Sequence, residues 1–116
     1  MIAYGLAKEN LNGENTVISD SVNPIPETRQ SWQIIATQTG ADILEIEVFC
    51  SDPKEHQRRV ESRKADIPGH KLPTWDDVIQ RQYDPWLSAH LHLDTAKQTP
   101  TEVAAQILCH PLINVL

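Results

Sequence analysis

The sequence predicts an α/β fold: a three-layer arrangement in which a mostly parallel sheet of about three strands carries helices on both faces. Three observations predict it. Short apolar runs of strand type alternate with longer runs of helical period, the pattern of βαβ units. The helical runs open and close on recognisable capping residues. Each strand-like run ends in a hydroxyl next to a carboxylate, Asp20-Ser21, Ser51-Asp52 and Asp94-Thr95. In parallel sheets the ligand lies beyond the carboxyl ends of the strands, so these pairs would share one rim. Asp, Ser and Thr are also common turn and capping residues, which leaves a purely local reading open.

Taken in order, Ile2, Ala3, Leu6, Ala7 and Leu11 recur at helical spacing, no capping residue precedes them, and Asn12-Gly13 suits a stop. Thr16 to Ser19 reads as a short buried strand, running into Asp20-Ser21 and an Asn23-Pro24-Ile25-Pro26 turn. A helix is expected from about Pro26 to Thr39, with Trp32, Ile35, Ala36 and Thr39 on one face and Gly40 as its left-handed stop.

Ile43 to Cys50 is the second expected strand, with Leu44, Ile46, Val48 and Cys50 on one face and Ile43, Glu45, Glu47 and Phe49 on the other. Cys50 closes it as a buried thiol. Asp52 then caps a helix with Pro53 at its first position and Glu55 completing a capping box. A proline- and glycine-containing loop follows, up to Pro73. Thr74 and Asp77 open a helix with Trp75, Val78, Ile79 and Tyr83 on its apolar side, broken at Asp84-Pro85-Trp86. His90 to Leu93 is the third short strand. Thr99 and Glu102 cap a last helix, with Val103, Ala104, Ile107 and Leu108 inward and His110-Pro111 as its end.

The bulk numbers bound the function. A chain of 116 residues with 40% hydrophobic and 22% charged residues suits one domain with one core, residues 1–116. A formal charge of −6 argues against general nucleic-acid binding but allows a local cationic patch. No apolar run approaches the roughly 20 residues needed to span a bilayer, and the first residues do not read as a signal peptide. Cys50 and Cys109 have no framework spacing, which points to a reducing, cytoplasmic setting.

The stretch from Ile43 to Arg63 carries the most chemistry. Arg59 and Arg63 are four residues apart and share a helix face, flanked by Arg58. Guanidinium forks match phosphate oxygens and keep their charge at any ordinary pH. The alternative is a solvated helix with Glu55 and Arg59 as an i,i+4 pair. Elsewhere, His90-x-His92 is a metal half-site with no third ligand at recognisable spacing, so no metal set is assigned. His56 lies on the arginine helix. Ser21 lacks a nucleophile elbow, and Trp32, Trp75 and Trp86 read as packing anchors.

The ordered string Asp20-Ser21-Val22-Asn23-Pro24, Glu45-Ile46-Glu47-Val48 with Cys50-Ser51-Asp52, His56 with Arg58-Arg59-Val60-Glu61 and Arg63, Leu72-Pro73-Thr74-Trp75, Pro85-Trp86 and Asp94-Thr95 resembles a bacterial family of small P-loop kinases. These are similar in fold to adenylylsulfate kinase, chloramphenicol phosphotransferase and the zeta-toxin kinases. The resemblance implies ATP and Mg2+ as cofactors and a small-molecule phosphoryl acceptor as partner. It implies that Asp20 lies near the magnesium ion or the acceptor, with Ser21 and Asn23 on the acceptor. Arg59 and Arg63, with Arg58, would form the lid over the transferred phosphoryl group, continued by the loop from Ala65 to Pro73. Asp94 and Thr95 would lie near the nucleotide base. Such chemistry rests on positioning and charge neutralisation, which lid arginines supply.

The sequence departs from that family at the phosphate loop. Gly5, Gly13, Gly40 and Gly69 are its glycines; none precedes Lys-Ser or Lys-Thr and no two are five apart. The expectation is an N-terminally truncated, incomplete P-loop kinase-like domain that does not turn over ATP by itself. In the family the missing strand separates those matching Thr16–Ser19 and Ile43–Cys50, so these two either pair directly or keep open edges that invite self-association. A non-catalytic remnant, a subunit pairing with a separate P-loop half, and an unrelated small α/β binding module are the alternatives.

Overall fold

A computed structural model describes residues 2–63, 68–69 and 71–114. Among these residues the chain is mixed α/β, with six helices and one two-stranded parallel sheet. It divides into two compact units: residues 1–45 with 82–88, and residues 46–81 with 89–116. No helix among the described residues is long and apolar enough to cross a membrane.

The first unit is a helix pair with an extended segment. α1 (Ile2–Asn12) packs on α2 (Pro26–Thr39). Ala7, Ile35 and Ala36 are buried, and the Tyr4 ring meets Trp32 edge-on with centroids 4.6 Å apart. α1 ends at a turn in which Gly13 and Glu14 donate back to Glu9, Asn10 and Leu11 carbonyls, and Glu14, not Gly13, takes the left-handed backbone at φ 64°. α2 starts on Pro26 behind an extended Ile25 that makes no side-chain cap, as a proline start tolerates because it has no N–H to satisfy. It ends on Gly40 at φ 70°, whose N–H returns to Ala36 and Thr37.

The expected strand at Thr16–Ser19 forms no ladder. Ile18 is 89% exposed and no strand among the described residues pairs with this run, and an apolar run without a ladder partner stays extended coil.

The second unit holds the sheet. β1 (Ile46–Phe49) and β2 (Leu91–Asp94) run parallel, in the register Ile46↔Leu91, Glu47↔His92, Val48↔Leu93 and Phe49↔Asp94. The strands are shorter than the apolar runs because pairing, not composition, sets their ends. Leu93 is fully buried at the centre of this unit. Val48 and Phe49 remain 58% and 41% exposed, one on each face of β1, so neither face of this strand is covered as a parallel strand usually requires. Cys50 is half-buried, not buried, with its Sγ 3.4 Å from the Asp52 carbonyl oxygen.

α3 (Pro53–Ser62) follows β1 and buries Val60. α4 (Trp75–Gln80) packs on α3 through Trp75, whose ring meets His56 edge-on at 5.0 Å. That contact is the role His56 takes. α4 is only six residues long, so Tyr83 lies beyond it and Ile79 is 58% exposed. Thr74 and Asp77, and Thr99 and Glu102 before α5 (Pro100–Leu108), form both halves of their capping boxes. On α5, Val103 and Ile107 are half-buried, whereas Ala104 is exposed and Leu108 is 63% exposed, narrowing the expected apolar face. α5 ends before His110-Pro111 as expected, and Pro111 then opens the short α6 (Pro111–Asn114).

Candidate functional site

The carboxyl ends of β1 and β2 and the start of α3 meet in the second unit, which holds five of the expected site residues, Arg58, Arg59, Arg63, Asp94 and Thr95. Asp52 caps α3 as the sequence predicts, accepting from the Lys54 and Glu55 N–H groups at 3.1 and 3.3 Å. The Glu55 carboxylate does not return to the cap. It accepts Arg58 Nε and Arg59 Nε, each at 2.9 Å. Two guanidinium forks outcompete one neutral backbone N–H for a carboxylate. The hydrogen bonds of Arg58 first, and those of Arg59 next, pull the Glu55 carboxyl down from 4.5 to about 2. Glu55 in turn raises Arg58 above its already high ordinary value.

Arg59 is docked on the end of β2. Its Nη1 donates to Thr95 Oγ1 at 2.8 Å and its Nη2 to the Thr95 carbonyl at 3.1 Å. Thr95 is itself anchored across the sheet: its N–H and its hydroxyl both donate to the Phe49 carbonyl, at 2.8 and 3.0 Å. Asp94 Oδ1 accepts the N–H groups of Ser51 and Ala96, both at 3.0 Å. The hydrogen bonding from Ser51 leads the effects that hold its carboxyl below the usual range. Asp94 and Thr95 thus tie β2 to the β1–α3 turn, and Arg59 adds a third tie.

Arg58 and Arg63 are placed differently. Arg58 has a side chain 66% exposed, with its hydrogen bonds directed to Glu55. Arg63 is the exposed C-cap residue of α3, with an extended backbone. The outer face of α3 forms a shallow hollow lined by Lys54, Gln57, Arg58, Glu61 and Ser62. The part of the expected lid loop that spans 64–67, and His70, lie outside the described residues.

Asp20, Ser21 and Asn23 belong to the first unit. Asp20 is exposed, and the Ser21 hydroxyl lies 3.4 Å from that of Ser19. Asn23 has a left-handed backbone at φ 47°, and its Oδ1 accepts Trp32 Nε1 at 3.1 Å. Its side-chain oxygen is therefore committed to packing the turn.

Sequence reasoning passed over Arg29, the only charged residue buried among those described, at 5% exposed. Its Nε donates to the Asn23 carbonyl at 2.8 Å, its Nη1 to Pro85 at 3.1 Å and its Nη2 to Asp84 at 2.7 Å. The guanidinium carbon lies 5.1 Å from the Tyr83 ring centroid and 4.8 Å from that of Trp86, a cation–π contact with each. Trp86 Nε1 is buried with no acceptor among the described residues, so this indole contributes its face and not its N–H. The signal was present: Arg29 falls at i, i+3, i+7 with Trp32 and Ala36, a cation inside an apolar stripe. A cation so placed needs acceptors, and turn carbonyls beside prolines supply them.

A second pair also went unread. Glu47 and His92 face each other in the sheet register, with His92 Nδ1 2.7 Å from Glu47 Oε1. His90 stacks edge-on against His110 at 6.0 Å. Among the described residues no group of three or more His, Cys, Asp or Glu could hold a metal ion. No protein-family model, curated protein or solved structure matches the chain.

Proposed function

We propose that this chain provides the lid and the nucleotide-base side of an ATP-binding kinase domain that transfers a phosphoryl group to a small molecule. The observation that carries the reading is the junction of the α3 arginines with the carboxyl ends of two parallel strands. Ligands of parallel sheets bind at such ends. There Arg59 is locked to Thr95, while Arg58 and Arg63 remain accessible beside it. Arg58 and Arg63 would neutralise phosphate charge, and Arg59 would fix the base-side rim formed by Asp94 and Thr95. ATP would supply the phosphoryl group, with Mg2+ as counter-ion. In the complete domain Thr16–Ser19 would be a third strand of a three-layer sheet, in a cytoplasmic protein.

No Gly-x4-Gly-Lys-Ser/Thr run stands in the 116 residues, so nothing here cradles the β- and γ-phosphates through backbone amides. The reading therefore assigns phosphate closure, not turnover, to these residues. A second reading, a subunit that pairs with a separate P-loop half, is favoured by the uncovered β1, where Val48 and Phe49 stay exposed. The test is equilibrium binding of a fluorescent ATP analogue with Mg2+ to the purified chain, alone and with a separately expressed P-loop half. Saturable binding that weakens in Arg63→Ala supports the nucleotide reading. Identical weak binding of the analogue by wild type and Arg63→Ala in both settings overturns it.

A further inference from the structure

Glu55 sits between two cations that depend on it unequally. Arg59 gives it one N–H and gives Thr95 two. Arg58 directs both its hydrogen bonds to Glu55. Take Glu55 away, and Arg59 stays docked through Thr95 while Arg58 is released. The released side chain needs only a rotamer change to join Lys54, one helical turn before it, over the hollow that Gln57 and Ser62 also line. Glu61 is the one acidic side chain lining that hollow.

We infer that Glu55 is a built-in counter-anion that occupies Arg58 until a polyphosphate oxygen displaces it, which makes Arg58 the exchangeable cation of α3 and Arg59 the fixed one. Carboxylate and phosphate oxygens compete for the same guanidinium fork, and a polyphosphate brings more charge and more acceptors. Arg58 is largely exposed and Glu55 partly so, and water screens such a pair, so the exchange gives up little. Glu55 does not leave by taking up a proton at neutral pH, where any ordinary carboxyl is ionised. It has to be displaced by another anion. The inference rests on the nucleotide reading only in naming ATP as the natural source of the polyphosphate; inorganic tripolyphosphate offers the same oxygens.

The test follows the arginine Nε–H resonances of the full chain during titration with tripolyphosphate, with ATP and Mg2+, and with sodium chloride at matched ionic strength. The expected result is a saturable shift of Arg58 with tripolyphosphate while Arg59 holds its position. Glu55→Gln keeps the Asp52 cap and should tighten tripolyphosphate about twofold to fivefold, the range of one exposed ion pair. Lys54→Ala should weaken it, and Arg58→Ala should remove the saturable response. An Arg58 response no larger than that to chloride, a weaker affinity in Glu55→Gln, or Arg59 moving with Arg58 overturns the inference. If ATP with Mg2+ shifts Arg63 and Thr95 but not Arg58, the inference fails and the nucleotide reading survives. If tripolyphosphate acts on Arg58 but ATP binds no tighter than tripolyphosphate, the inference stands and the nucleotide reading falls.

Discussion

Arg29 in the first unit and Arg58 in the second are the same residue put to opposite uses. Arg29 is 5% exposed, lies over two aromatic rings, and spends three N–H groups on backbone carbonyls from two separate turns. Arg58 lies on a helix face with one carboxylate for company. The first cannot move without leaving acceptors stranded, whereas the second can trade its partner for any anion. Arg59 stands between them, half-exposed but tied to Thr95. The lesson is that a guanidinium becomes structure when its acceptors are backbone carbonyls and stays available when its acceptor is one side-chain carboxylate.

The largest expected effect breaks the buried side of this comparison. Arg29→Ala should destabilise the chain by about 3 kcal/mol or more, because three carbonyls lose their donor at roughly 1–3 kcal/mol each where they stay dry. Urea unfolding measures it, and a loss under about 1 kcal/mol would show that water replaces the guanidinium. Arg29→Lys should recover little, since an ammonium cannot reproduce the fork or the stacking. Arg59→Ala comes next, at about 1–2 kcal/mol for hydrogen bonds to a charged donor at a half-exposed site. Thr95→Val should remove much of the same stabilisation, and a double-mutant cycle of Arg59 with Thr95 should be strongly non-additive.

Arg58→Ala marks the other end of the scale, with no resolvable loss of stability in urea unfolding. A measurable loss would mean that Arg58 is structural after all. Acid titration sharpens the same contrast. Glu55 is depressed from 4.5 to about 2, so its contribution is complete above about 4.5 and disappears as pH falls toward 2. Unfolding midpoints followed from pH 5 to pH 2 should therefore fall less steeply in Glu55→Gln than in wild type, and equal slopes would remove Glu55 from the acid limb.

Local chemistry made much of this legible in the residues. Pro26 to Thr39 and its Gly40 stop, and the Asp52, Thr74 and Thr99 caps, all follow from neighbours a few positions apart. What could not be read depends on partners far along the chain. Thr16–Ser19 has the composition of a strand, but a strand exists only where another offers its ladder. Glu55 has capping-box spacing, but Arg58 and Arg59 claim its carboxylate. The acceptors of Arg29 sit 55 and 56 residues away, where spacing says nothing. Among the candidate site residues, the docking of Arg59 on Thr95 and the structural employment of Asp94 and Asn23 could not be read from spacing.

The sheet also has a history in time. Directly opposed residues such as Glu47 and His92 are 45 residues apart in the chain, and each strand contributes only four residues to the ladder. Closing so long a loop comes before the ladder can reward it, whereas α3, α4 and α5 carry their start signals within their own first turns. The helices should therefore gain structure early and the β1–β2 pairing last. For most of that interval β1, with Val48 and Phe49 on its two faces, is an unclaimed template. The order of events can be read by pulsed hydrogen exchange, in which the amide of Thr95, bonded to the Phe49 carbonyl, should acquire protection after those inside α3 and α5.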